Sequence, residues 1–296
     1  MRFITFFIAI HLTGLYSCTA QNRIDKNKQA LLAVFPIELH DNIPYMQVSV
    51  ANSKPVWFIV DCGASLSVVD KTFVDSLKLR KVGSIQGTGA GSGTYEINYL
   101  YNVNYQNGKL NFVSDSSYCI DLSKVKSPPN RKLLGLLGYD FFNKYVVSFD
   151  YDKKLMKLYD AKKYKYSGNG ETIPIVFKKR VPYIKANIWI PGVAAAFGRD
   201  WLVDTGSGDT FNDDLLKEST GEKKQLGGGN GLGNSFQVWQ AKSDSLQIGS
   251  FKFKNMFGVS GGMKIGGGVL KYFRTIFVYQ ENKMILEPQE TNFGKK

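Results

Sequence analysis

Two aspartates in this chain stand in the same setting. Asp61 ends the apolar run Phe58-Ile59-Val60 and is followed by Cys62-Gly63-Ala64-Ser65; Asp204 ends Trp201-Leu202-Val203 and is followed by Thr205-Gly206-Ser207. A carboxylate at the end of a buried strand is costly to desolvate unless partners or a function keep it there. Other chemistries find little support. The chain has two histidines, His11 in an apolar N-terminal run and His40 near a predicted strand end, where it reads as a surface residue. Zinc hydrolase chemistry wants more ligands than that, so no metal is expected. A serine triad would have to be built on His40 alone. The glycine runs at 87–93 and 226–234 do not end in Gly-Lys-Ser/Thr and do not lead into an apolar-periodic helix. They read as hairpin tips rather than phosphate cradles. Carboxylates are the candidates left.

The elements that must position these acids are written twice. Pro36, Pro44 and Tyr45 recur as Pro174, Pro182 and Tyr183 at one constant spacing. Asp61 recurs as Asp204 at a slightly larger spacing, and residues 141–158 run parallel to 269–286 at a smaller one. The residues gained between the first two spacings fall in 190–200, read as a longer hairpin. Those lost before the third fall in 114–130, read as an excursion closed by Pro128-Pro129. Each copy reads as short strands, with alternation such as Tyr45-Met46-Gln47-Val48-Ser49-Val50 marking half-buried hairpins. Short helices are predicted at 71–79, 139–145 and 212–219, and the polar stretch 159–171 is the natural linker.

The bulk numbers agree with a folded, β-rich chain. Of 296 residues, 43% are apolar and 14% aromatic, with 20 Phe and 16 Tyr, enough for one large domain or two smaller ones. The net charge is +13. The lysines are dispersed among acids without a nucleic-acid motif, so they read as a basic solvated surface and no nucleic-acid partner is expected. Residues 1–20 carry one Arg and then an apolar stretch too short for a membrane span and suited to an export signal. Leu15-Tyr16-Ser17-Cys18 resembles a lipobox, which would lipidate Cys18 and anchor the chain to a membrane; Ala20-Gln21 would serve as an ordinary cleavage site. Either reading places the mature protein in a bacterial cell envelope, periplasmic or membrane-anchored. Cys62 and Cys119 read as free, buried thiols.

Apolar-apolar-Asp-Thr-Gly-Ser followed later by apolar-apolar-Gly resembles the aspartic peptidase superfamily. Here the pairs are Ile59-Val60-Asp61-Cys62-Gly63-Ala64-Ser65 with Leu136-Leu137-Gly138, and Leu202-Val203-Asp204-Thr205-Gly206-Ser207 with Lys264-Ile265-Gly266. Two copies look like the bilobed, pepsin-like arrangement, and the short lobes look closer to bacterial relatives of retroviral proteases joined in tandem. The resemblance implies an all-β acid protease fold of two similar β-barrel-like lobes with a few short helices. The expected organisation is a signal peptide at 1–20, an N-terminal retropepsin-like lobe at 30–160 and a C-terminal one at 170–290. It further implies an endopeptidase with no metal or organic cofactor, working as a monomer on peptide or protein substrates.

By the same resemblance, Asp61 and Asp204 meet at the lobe interface, share one proton and activate a water. Cys62, Gly63, Ser65, Thr205, Gly206 and Ser207 support them. Gly89, Gly91 and Tyr95 belong to a flap over the substrate, with 227–234 as a second candidate. Two departures stand out. Cys62 replaces a hydroxyl that normally bonds across to the opposite loop, and a thiol is a poor donor, so a looser dyad is expected. Lys264 replaces an apolar residue, which reads as an open loop or an alignment displaced by a residue or two. Both keep an alternative in play: a non-catalytic protein that binds a peptide or envelope component on this scaffold. A basic surface protein that binds anionic lipid or polysaccharide is a weaker third.

Overall fold

The computed structural model describes residues 29–87, 94–108, 110–125, 127–228 and 236–289. The expectations for the export signal, Cys18, Gly89 and Gly91 lie outside the described residues. Within them the fold is all-β and bilobed, as three sheets.

Each lobe is built around the same crossing of strands. In the first, Val56–Val60 runs parallel to Leu133–Leu137, which is antiparallel to Val68–Asp70, and that strand runs parallel to Leu110–Ile120. In the second, Ala196–Asp204 runs parallel to Met263–Gly266, which is antiparallel to Phe211–Asp213, itself parallel to Phe257–Val259. Asp61 therefore leaves a central strand buried on both faces, which is why three apolar residues precede it. The third sheet belongs to both lobes. Its order is Leu31–Pro36, Leu155–Asp160, Tyr145–Asp150, Phe273–Val278, Lys283–Pro288 and Glu171–Pro174. The pairing of Val147 with Phe277 joins the copies, and one apolar core runs from Val60, Phe141 and Phe149 to Val203, Ile265 and Phe277.

Short helices form at Lys71–Ser76, Tyr139–Lys144 and, as a 3-10 turn, Asp214–Glu218. Asp70 and Asp213 start the first and third by accepting main-chain N–H groups at their N-termini, the usual role of Asp there. A fourth, Gly267–Leu270, takes in the second copy the place that Tyr139–Lys144 holds in the first; its glycines hide it from a sequence reading.

Three details differ from the sequence reading. Residues 114–120 are not part of an excursion but continue the strand Leu110–Ile120. Their serines are strand residues whose hydroxyls are satisfied inside: Ser114 Oγ donates to Asp140 at 2.5 Å and Tyr105 Oη to Ser117 Oγ at 2.8 Å. The linker is tied down by Tyr164, buried against Tyr159, and by Tyr166 Oη, which donates to Glu287 at 2.5 Å. The two lobes also differ in register. Val68 lies opposite Leu136, whereas its counterpart Phe211 lies opposite Ile265, the counterpart of Leu137. A one-residue slip exchanges faces, and it sends Phe211 into the core and Asn212 toward the side of Lys264.

Among the described residues, no helix is long and apolar enough to cross a membrane.

Candidate active site

Asp61 and Asp204 come together at the seam between the lobes. The main chain brings each there: Asp61 N–H donates to the Leu137 carbonyl at 2.9 Å, and Asp204 lies in register opposite Gly266. The glycines explain the closeness. A Cβ at Gly63 would stand 3.0 Å from Asp204 Oδ1, and one at Gly206 only 2.6 Å from Asp61 Oδ2. Each carboxylate thus presses on the glycine of the facing loop, a space that no side chain can share. Gly63 N–H also donates to Asp61 Oδ1 at 2.8 Å, which fixes that carboxylate's rotation.

Beneath the acids, Thr205 and Cys62 cross. Thr205 Oγ1 accepts from Cys62 N–H at 2.9 Å and donates to the Val60 carbonyl at 2.7 Å. Cys62 Sγ accepts from Thr205 N–H at 3.3 Å and donates to the Val203 carbonyl at 3.2 Å. Burial pushes the Cys62 thiol well above its ordinary pKa, with the charges of Asp61 and Asp204 adding to the shift. The thiol therefore stays protonated and can donate. Tyr279 Oη donates to the Cys62 carbonyl at 3.2 Å. Tyr151, its counterpart in the first copy, buries its hydroxyl with no hydrogen-bond partner among the described residues.

Lys264 is in register, opposite Leu202, with Ile265 opposite Val203 and Gly266 opposite Asp204. This corrects the reading of an open loop or a displaced alignment. The side chain turns toward the acids: Nζ stands 3.4 Å from Asp204 Oδ2, with the two side chains 18% and 16% exposed. Burial raises the Asp61 carboxyl to about 8, helped by the charge of Asp204 and a hydrogen bond shared with it; Gly63 N–H and the Lys264 charge pull the other way. The two carboxyls therefore hold a proton between them more tightly than a lone carboxylate would.

The remaining expected residues take lesser places. Ser207 acts through its main chain, its N–H donating to the Asp204 carbonyl at 3.2 Å and its carbonyl accepting from Gly267 N–H at 2.7 Å. Among the described residues, neither its hydroxyl nor that of Ser65 hydrogen-bonds an aspartate. Tyr95 is half-buried at the root of the hairpin Val82–Gly87 and Tyr95–Asn107, packed on the cluster of Tyr45, Ile59, Val68 and Leu136. The second flap candidate keeps Gly227 and Gly228 in the strand Lys223–Gly228, and its tip is outside the described residues. Cys62 and Cys119 are free and buried.

One anchoring residue escapes the sequence reading. Asp140 accepts from Ser67 N–H at 2.6 Å, Ser67 Oγ at 2.8 Å and Ser114 Oγ, and Ser67 Oγ in turn accepts from Gly138 N–H at 3.0 Å. The signal available is an acid two positions after Leu136-Leu137-Gly138, at the start of a predicted helix.

Residues 46–141 match the family model described as "Aspartyl protease". Over that stretch the first lobe is similar to an aspartyl protease domain. The matched stretch takes in Asp61, the Leu136-Leu137-Gly138 strand end and Asp140, which are the residues that build the first lobe's half of the site. A comparison with curated proteins finds no match to the sequence. The matched lobe meets, across the seam, a second lobe that repeats its strand crossing and presents Asp204 where the first presents Asp61.

Proposed function

We propose that the chain is an endopeptidase that hydrolyses peptide bonds with water activated between Asp61 and Asp204. The single observation that carries this reading is the meeting of two carboxylates from different lobes, each against the other's glycine and held from beneath by Thr205 and Cys62. In this reading Asp204, the carboxylate with Lys264 beside it, takes a proton from the water as it attacks the carbonyl carbon. Asp61 donates its proton to the carbonyl oxygen, and the leaving nitrogen is then protonated from the pair. The substrate lies extended along the seam, under the hairpin rooted at Tyr95. Both halves belong to one chain, so a monomer suffices. Residues 1–20 fit export, and the working place in this reading is the cell envelope.

The Lys264–Asp204 ion pair favours a second reading, a peptide-binding protein whose acid is neutralised. One experiment separates them. Mature protein is incubated with a diverse peptide mixture between about pH 3 and pH 8, beside Asp61→Asn and Asp204→Asn. Cleavage lost in both variants supports hydrolysis. Saturable peptide binding with no cleavage supports the second reading and ends the first.

A further inference from the structure

The two sides of the acid pair are chemically unlike. Residues two apart on a strand share a face, as do residues in register across neighbouring strands. On the first-lobe side, the face of Asp61 carries Ile59, with Tyr45 and Leu136 in register beside it, all within an apolar cluster. On the second-lobe side, the face of Asp204 carries Leu202 and Asp200, with Tyr183, Lys185 and Lys264 in register beside them. Lys264 is the second copy's counterpart of Leu136. An aliphatic neighbour of one aspartate has become an ammonium beside the other.

This ammonium is not fully used. A charge-assisted N–H to carboxylate bond runs at about 2.7–2.9 Å, and Lys264 stands 3.4 Å from Asp204, leaving N–H donors for another group. The rest of the face leans the same way. Lys178 and Lys185 share the single carboxylate of Asp200, each at 2.7 Å, so positive charge is in excess there. Asn212 lies opposite Lys264 and is 5% exposed, a neutral amide that brings no negative charge to that face. With one shared proton the acid pair carries a single negative charge, which alone would repel an acidic side chain; Lys264 offsets it. The net charge of +13 draws acidic segments toward the protein from further away.

We propose that the substrate residue held by the second lobe next to the cut bond is acidic, and that Lys264 receives its carboxylate. The proposal rests on the peptidase reading. The test uses quenched fluorescent peptides that are identical except for Glu, Leu or Lys on either side of a bond whose other side is Phe. For the wild-type protein, kcat/KM with Glu on one side should exceed that with Leu by about tenfold or more, the scale of a hydrogen-bonded charge, with Lys poorest. Lys264→Arg should keep that order. Lys264→Leu should bring the Glu to Leu ratio to one or below, and Lys264→Glu should turn the preference toward Lys. Each ratio is taken within one variant, so a loss of folded protein does not alter it. Equal cleavage of all peptides by the wild type, or a Glu preference that survives Lys264→Leu, overturns the proposal while leaving the peptidase reading intact. No cleavage of any peptide overturns the peptidase reading, and this inference with it.

Discussion

Thr205 and Cys62 hold each other's strands across the seam, but with unequal grip. The hydroxyl reaches the Val60 carbonyl at 2.7 Å, while the thiol reaches the Val203 carbonyl at 3.2 Å. Sulfur is larger and a weaker donor, so the same crossing closes with one firm arm and one slack arm. Thr205→Val keeps the shape and leaves the Val60 carbonyl and the Cys62 N–H buried without partners; it should cost about 2–3 kcal/mol. Cys62→Thr should add up to about 1 kcal/mol by replacing the slack arm with a hydroxyl. Urea unfolding midpoints measure both. Equal midpoints for Cys62→Thr and wild type would show that the thiol holds the seam as firmly as a hydroxyl.

The two counterpart tyrosines make a second asymmetric pair. Tyr279 donates to the Cys62 carbonyl, whereas the Tyr151 hydroxyl is buried without a partner among the described residues. Tyr279→Phe should destabilise by about 1 kcal/mol. Tyr151→Phe removes an unsatisfied group and should be neutral or stabilising by a similar amount. Thermal melts of the two variants should move in opposite directions or differ clearly in size; equal losses would mean that Tyr151 has a partner after all.

The raised Asp61 pKa makes stability depend on pH. Its carboxyl holds a proton more tightly in the folded chain than in the unfolded one, where the value is near 4. The folded state therefore binds more protons between the two values, and stability falls as pH rises from about 4 through the folded pKa. Asp61→Asn cannot ionise, so its melting temperature relative to wild type should climb across that window and level off above about 8. Peptide cleavage by the wild type should fade on the same alkaline side, as both acids ionise. A melting difference that stays flat with pH would contradict the raised value.

Asp140 is expected to be structural rather than chemical. It gathers Ser67, Ser114 and, through Ser67, the Gly138 N–H. Asp140→Ala strands several buried polar groups and should cost about 3 kcal/mol or more, read from urea unfolding. Its counterpart in the second lobe, Gly268, has no room for a side chain, since a Cβ there would stand 2.8 Å from the Thr210 main chain. That lobe makes the corresponding tie without a carboxylate, from the Gly266 N–H to the Thr210 carbonyl.

Much of this is legible in the residues themselves. An apolar strand running into Asp-x-Gly is a local pattern, and its recurrence in a second copy announces two like strand crossings with an aspartate at the end of each. Short helices near 71 and 214 are legible to within a few residues, and the side chains of Asp70 and Asp213 set where they start. What local pattern cannot state is the partner across a strand. Ser114 and Ser117 look like loop residues until Asp140 and Tyr105 are seen to satisfy them from elsewhere in the chain. The Val147–Phe277 pairing makes one sheet of two copies. It joins strands from opposite halves of the chain, and no periodicity carries that far. Lys264 looks misplaced in an apolar pattern because period-two alternation assigns it a face but not a neighbour. Only folding places that face beside Asp204, where an ammonium has a charge to meet.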